Sequence, residues 1–308
     1  LDARAAARAE VERRLCAGEG LAGLRLIDVD LRGLDLPGQD VRGSLLVRAD
    51  LRHVKLDGAR FEGATLDEAK LDGASARGAS FAGASLALIE ASGVDFSGAN
   101  LEEAIAERAM LEGAIFRNVK ARGLELEEGY AVGALFESAD LTGAVLSHTN
   151  FDEASFRGAL LEGARLYGAS LRRANLDQIK AMRLCAADGA DLSEANVRFA
   201  QLEQASFSRS ILIGTRLTES DLTRALFIGC RLEGAQLLAV RARGARFDHA
   251  RMAASSLAGA DLYGARFEGA DLRHADFSNA SAYQAELGWA DTVGARFDGA
   301  NLEGTKLA

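Results

Sequence analysis

The chain has 308 residues, 48% of them apolar, with 33 Gly, one Pro and one Trp, and carries a formal net charge of -9. That acidic balance excludes a basic nucleic-acid-binding surface as a property of the whole molecule, and no apolar run approaches the roughly 20 residues needed to span a bilayer. The three Cys (Cys16, Cys185, Cys230) are odd in number and far apart, so they form no disulfide framework and suit a reducing compartment.

The sequence begins at Leu1 rather than Met, as a piece of a longer protein would, and shows no signal peptide. Residues 1–20, "LDARAAARAEVERRLCAGEG", are rich in helix formers and end in Gly18 and Gly20. They are expected to form a short helix with a glycine stop that caps whatever follows. Covering the first strand edges there would protect them from unwanted pairing.

From residue 21 to 308 the sequence beats every five residues. Large apolar centres fall at Leu26, Leu31, Leu36, Val41, Leu46, Leu51, Leu56 and Phe61 and continue to Leu176. Two residues before each centre stands Ala or a small substitute such as Ser44 or Thr149, with exceptions at Leu34, Gln39, Ile89, Leu124 and Gly129. On an α-helix, steps of five scatter around every side; on a straight strand they alternate between faces. The chain must therefore turn once per repeat. Within that register Ala265 points inward and Arg266 outward.

Phe residues give the number of repeats per coil. Phe96, Phe116, Phe136 and Phe156 are spaced by twenty, as are Phe207, Phe227, Phe247 and Phe267, and of the fourteen Phe only Phe199 misses a centre. Twenty residues per coil means four five-residue sides, with Phe rings stacked in ladders. Ala106, Ala121 and Ala131 offset Phe116 and Phe136, as interdigitated packing requires. About 14 such coils at strand spacing would give a rod on the order of 65–70 Å long.

One stretch breaks the beat. Between Leu176 and Leu192 the centres are one residue too far apart, which places a one-residue register shift at 177–191, read as a bulge at a corner. At the other end the beat holds to Leu307 and stops. That leaves an edge for self-association through the C-terminal coil, or a boundary cut into a longer chain.

These stretches, among them "ADL" at Ala49–Leu51, Ala139–Leu141 and Ala260–Leu262 and "ANL" at Ala99–Leu101, Ala174–Leu176 and Ala300–Leu302, resemble the A-[DN]-L-x-x repeat of the pentapeptide-repeat proteins. The resemblance covers about residues 21–308 and implies an all-β solenoid, a right-handed quadrilateral β-helix. Asp or Asn before the centre is often replaced, at Arg60, Lys70, Ile105, Met110, Leu135 and Arg246. The opening run "GEGLAGLRLIDVDLRGLDLPG" is similar to the pentapeptide-repeat tails of bacterial type VI secretion accessory proteins.

Nothing in the sequence assembles chemistry. His53, His148, His249 and His274 all fall two residues after a centre, at outward corners, and none approaches another ligand in this register, so no metal site is expected. Cys230 fills an inward small slot. No cofactor loop is present, and a square rod offers no cleft to hold a catalytic carboxylate pair. The expected function is therefore non-catalytic: a protein-binding scaffold or spacer in the bacterial cytoplasm, with no membrane and no nucleic-acid partner.

Two surfaces stand out. Residues 86–165 hold fourteen Asp and Glu against six Lys and Arg. Quinolone-resistance members of the family look like DNA to topoisomerases, so the resemblance implies a rival function, a DNA mimic acting on gyrase. Against it stands a basic band at Arg241, Arg243, Arg246 and Arg251. The second surface is apolar. Ile211 and Ile213 flank the centre Leu212, Leu226 and Ile228 flank Phe227, and all four should face outward beside Arg231, as one candidate partner surface.

Overall fold

The computed structural model describes residues 3–305; the last expected centre, Leu307, and the first two residues of the N-terminal segment lie outside them. The chain divides into two compact units, Leu1–Ala154 and Ser155–Ala308.

The first unit opens with helix α1, Ala3–Ala17. It stops at Gly18, whose φ is 67°, where the Gly18 amide donates to Leu15 O at 3.1 Å and the Glu19 amide to Arg14 O at 2.9 Å. That pair of bonds is the Schellman stop, which needs a left-handed residue just past the helix. Val11 is the buried residue of α1, and Arg8 Nη1 donates to Asp30 O at 2.6 Å on the first coil.

Beyond α1 the unit is built of parallel bridges between residues twenty apart, from Arg25 with Leu45 to Tyr130 with Asn150. Successive bridges along the chain are five residues apart, so each coil makes four steps. Among the described residues no extended strand forms, because each step spends four of its five residues on a turn. In the step centred on Phe61, the Ala64 amide closes the turn by donating to Phe61 O at 2.9 Å. Three other amides bond neighbouring coils: Arg60 N to Gln39 O at 2.8 Å, Phe61 N to Ser80 O at 2.6 Å and Gly63 N to Ala82 O at 3.1 Å. The third turn residue has positive φ throughout, as a type II turn requires.

One amide per step remains, that of the residue after the centre. Where Asp or Asn precedes the centre, its side chain accepts this bond: Arg52 N to Asp50 Oδ1 at 3.2 Å, Ser97 N to Asp95 Oδ1 at 2.9 Å, Glu102 N to Asn100 Oδ1 at 3.0 Å. An Asp one coil back can substitute, as Asp57 does for Arg77 N at 2.9 Å and Asp72 for Ser92 N at 3.0 Å. Pro37, the single proline, occupies this same turn position, where it has no amide to satisfy and its fixed φ suits the turn. The repeat's Asp or Asn is thus an acceptor for the one donor that backbone pairing leaves over.

Inward positions are filled as the register requires. Centres such as Leu51, Phe61 and Leu66 and small residues such as Ala59 and Ala64 are fully buried. Phe61 stacks on Phe81 at 4.9 Å, Phe96 on Phe116 at 5.0 Å and Phe116 on Phe136 at 4.6 Å between ring centroids. Ser and Thr can take the small slot because the hydroxyl finds a carbonyl one coil back: Ser44 Oγ donates to Leu21 O at 2.8 Å and Thr149 Oγ1 to Leu126 O at 2.6 Å. Ala106 occupies a centre between Leu86 and Leu126, and its small size leaves an apolar cavity of about 20 Å³ lined by those residues, Phe116 and Leu124.

The second unit follows the same rules. Phe207, Phe227, Phe247 and Phe267 form a ladder with centroids 5.1, 5.0 and 5.0 Å apart. Bridges are twenty residues apart up to Arg165 with Cys185, twenty-one apart from Ser170 with Asp191 to Cys185 with Ser206, and twenty again from Asp191 with Ile211. The extra residue therefore lies between Cys185 and Asp191. Asp188, with φ 54°, takes the usual third turn position, and Gly189, with φ 94°, is inserted after it. Both amides still bond the next coil, Asp188 N to Ser208 O at 2.9 Å and Gly189 N to Arg209 O at 3.2 Å. The turn widens and the ladder continues.

Outward placement does not make Arg266 an idle residue. It lies 3.6 Å from Asp248, 3.0 Å from Glu268 and 3.4 Å from Glu286, and the Asp248 side chain is almost wholly buried between Arg246 and Arg266.

Candidate interaction surfaces

In the second unit Ile211 is bridged to Asp191 on one neighbouring coil and Arg231 on the other, so Ile211 and Arg231 share one side. Leu226 is bridged to Ser206 and Arg246 on the preceding side. Ile228 lies in the turn between these two sides, where its carbonyl accepts from Arg209 N at 2.9 Å. Ile213 lies in the turn at the far end of the Ile211 side, its carbonyl accepting from Glu194 N at 2.9 Å. Leu212 and Phe227 between them are fully buried, while all four flanking residues are half-buried and Arg231 is exposed. Arg231 Nε is 3.7 Å from Glu233, which also holds Arg251 at 3.2 Å. Neither Ile211 nor Leu226 can accept the leftover turn amide, and among the described residues the Ile213 and Ile228 amides have no partner. The five residues therefore combine apolar surface with free backbone donors.

The basic band resolves into separate pairs. Arg241 lies 3.0 Å from Asp221, Arg243 2.6 Å from Asp261, Arg246 2.7 Å from Asp248 and Arg251 3.2 Å from Glu233. Arg241, Arg246 and Arg251 also stand on three successive sides, so no concentrated positive patch results. Similar pairing sets the carboxylates. The Arg42 guanidinium beside Asp40 holds its carboxyl down at about 2, and Arg273 depresses Asp271 in the same way.

Titratable residues elsewhere do not converge. The four His stand at third turn positions with φ between 57° and 60°. Three of them fold over the glycine one coil on: a Cβ added to Gly73 would lie 2.5 Å from His53 Nδ1, with the same crowding at Gly269 under His249 and Gly294 under His274. Among the described residues no group of three or more His, Cys, Asp and Glu could hold a metal ion. Cys230 is buried, its Sγ donating to Phe207 O at 2.7 Å, and burial pushes its thiol up to about 12. Among the described residues no helix is long and apolar enough to cross a membrane.

In the first unit Leu88, Met110 and Tyr130 are 47%, 44% and 37% exposed, more than the four residues singled out in the second unit. The sequence flagged Met110 only as a departure from the repeat and passed over Leu88 and Tyr130. A signal was available for two of them: an apolar residue directly before a centre must face outward and leaves a turn amide open.

This repeating geometry has a family. Eight copies of the pentapeptide-repeat pattern match residues 25–63, 44–83, 79–118, 92–127, 132–178, 188–224, 220–257 and 255–291. The chain belongs to the pentapeptide-repeat family, whose fold is a right-handed β-helix. Among solved structures it is similar to HetL, a pentapeptide repeat protein involved in heterocyst differentiation regulation from the cyanobacterium Nostoc sp. strain PCC 7120, at 23% identity over 96% of this chain and 95% of that one, with a TM-score of 0.28. It is also similar to trypsin-treated QnrB1, a plasmid-mediated fluoroquinolone resistance protein, at 19% identity over 66% of this chain and 92% of that one, with a TM-score of 0.44. A pentapeptide repeat protein from the Arabidopsis thaliana thylakoid lumen shares 30% identity over 36% of this chain and 62% of that one, with a TM-score of 0.11. Likeness at these scores says nothing of function. A comparison with curated proteins gives no significant match.

Proposed function

We propose that the chain is a non-catalytic protein-binding scaffold or spacer whose outer surface carries its function. Each unit is read as a four-sided, quadrilateral right-handed β-helix, about 14 coils in all, with α1 as the N-terminal cap. The observation behind the functional reading is the interior: side chains fill it, and the cavity at Ala106 is lined by carbon alone. Chemistry needs polar groups converging on a substrate, whereas a repeating exterior offers long, flat contact surfaces. The docking surface is placed at Ile211, Ile213, Leu226, Ile228 and Arg231, where apolar side chains and open turn amides meet. A bacterial cytoplasmic setting, with attachment to a secretion apparatus, rests on the cysteine usage and on the opening run 18–38.

Affinity capture from a bacterial lysate tests this surface. The Ile213→Ser/Ile228→Ser variant is expected to keep its thermal midpoint and lose a protein that the native chain retains. An unfolded variant would make the two residues core, and an unchanged set of captured proteins would refute the surface. Sedimentation separates off self-association through the C-terminal coil.

The acidic stretch 86–165 supports a second reading, a DNA mimic of a topoisomerase such as gyrase. Inhibition of supercoiling at micromolar protein, fading as salt rises, would favour it. Cations within and beside it weaken the case: Asp95, Glu128, Glu137 and Asp140 are paired with Arg77, Arg108, Arg117 and Arg122.

A further inference from the structure

The first unit presents a different surface, independent of the one at Ile211–Arg231. Met110 and Tyr130 are bridged neighbours on successive coils, with Glu90 on the coil before. Leu88 lies in the turn leading to Glu90 and lines one open hollow with Met110, Glu68, Lys70 and Arg108. Ile105, 40% exposed, stands one step before Met110 on the same coil and carries the apolar surface round the corner. Because Ile105, Met110 and Tyr130 replace the usual Asp or Asn, the Glu107, Glu112 and Val132 amides have no partner among the described residues.

The unpaired charge on the sides that carry these residues, and in the turns that follow them, is acidic. Lys70 is taken by Glu90 at 3.6 Å and Arg108 by Glu128 at 2.8 Å. Glu107, Glu112, Glu125 and Glu127 have no cation partner among the described residues, although all four belong to the two coils that carry Met110 and Tyr130. Exposed apolar side chains set beside unpaired carboxylates are complementary to a partner that is both apolar and basic. Purely cationic ligands would leave Leu88, Met110 and Tyr130 in water, and nucleic acid would be repelled.

We propose that Leu88, Ile105, Met110 and Tyr130, together with the neighbouring Glu107, Glu112, Glu125 and Glu127, form a docking surface for a Lys/Arg-rich amphipathic segment of a protein. Apolar side chains of that segment cover Met110 and Tyr130, and its cations meet the free glutamates. A second copy of this chain fits less well, since Arg241, Arg243, Arg246 and Arg251 are already paired with carboxylates.

The test titrates the full chain into a fluorescent Leu/Lys amphipathic helical peptide, with an oligolysine of equal length as the comparison. The amphipathic peptide is expected to bind at least about tenfold tighter than the oligolysine. Met110→Ser/Tyr130→Ser should remove that margin with the thermal midpoint kept, and the corner substitution Leu88→Ser, which touches no bridge, should weaken binding in the same direction. Glu107→Gln/Glu127→Gln should weaken binding and flatten its salt dependence. Equal affinity for the two peptides would reduce the surface to charge attraction and overturn the proposal, as would binding indifferent to the substitutions. A concentration-dependent dimer in sedimentation that Met110→Ser/Tyr130→Ser dissolves would assign the surface to a second copy, with the same consequence.

Discussion

Replacing Phe227 with Ala should destabilise the second unit by about 3–5 kcal/mol, the cost of emptying a large buried aromatic site. Phe227 is fully buried and stacked between Phe207 at 5.1 Å and Phe247 at 5.0 Å. Its backbone is pinned by bonds to the coils on either side, so the wall cannot collapse into the void. The Phe227 amide donates to Arg246 O at 2.7 Å, and Leu226 N to Ala205 O at 2.9 Å. Phe199→Ala provides the contrast, because Phe199 lies off the beat, is 44% exposed, and has the Arg198 guanidinium 5.7 Å from its ring centroid. That contact is worth at most about 1 kcal/mol. Chemical denaturation measures both. Similar midpoints for the two variants would mean the ladder does not fill the core.

Overpacking should also be costly. Ala265→Leu places three extra carbons in a fully buried slot whose neighbours along the core are Ala245, also fully buried, and Ala285. The expected loss is about 1–3 kcal/mol or more, since a packed interior yields only by straining rotamers and backbone. Arg266 is unsuitable as the outward comparison because of its ties to Asp248, Glu268 and Glu286. Arg216 is exposed and has no ion pair among the described residues. Arg216→Leu should therefore stay within about 0.5 kcal/mol. Comparable losses at 265 and 216 would show the inward register to be misplaced.

Much of this architecture is written in the period. A small residue and a large one, two apart and repeated every five, leave the chain no straight element that buries both, and the twenty-residue spacing of Phe sets the coil. Bridges twenty residues apart and stacked rings follow from the same numbers. The site of the inserted residue was legible only as a range, 177–191. Any of several small residues there can occupy a turn, and it takes the bridges flanking Asp188 and Gly189 to single one out. Side-chain pairing across coils was harder still. Arg266 with Asp248 is eighteen residues apart and Arg241 with Asp221 twenty, so a band that reads as basic along the chain is neutralised by its neighbours in space. Interaction surfaces were legible in part. Ile211 and Leu226 show themselves by flanking centres, but the exposure of Leu88 depends on a corner that carries Asp, Arg, Glu and His on other coils.

Residue-resolved hydrogen exchange on the intact chain bears most directly on the central claim, that each step leaves one amide over and that the candidate surfaces lie where no side chain accepts it. Ser193, Thr223 and Ser278 amides, each bonded to the Asp two residues before at 2.9, 3.0 and 2.9 Å, should exchange slowly. Those of Glu107, Glu112, Ile213 and Ile228 should exchange fast, while the centre amides beside them, Ala106, Leu111, Leu212 and Phe227, stay protected by bonds of 2.6–2.7 Å to the next coil. Equal protection of Ile213 and Thr223, or fast exchange at Leu212 and Phe227, would contradict it.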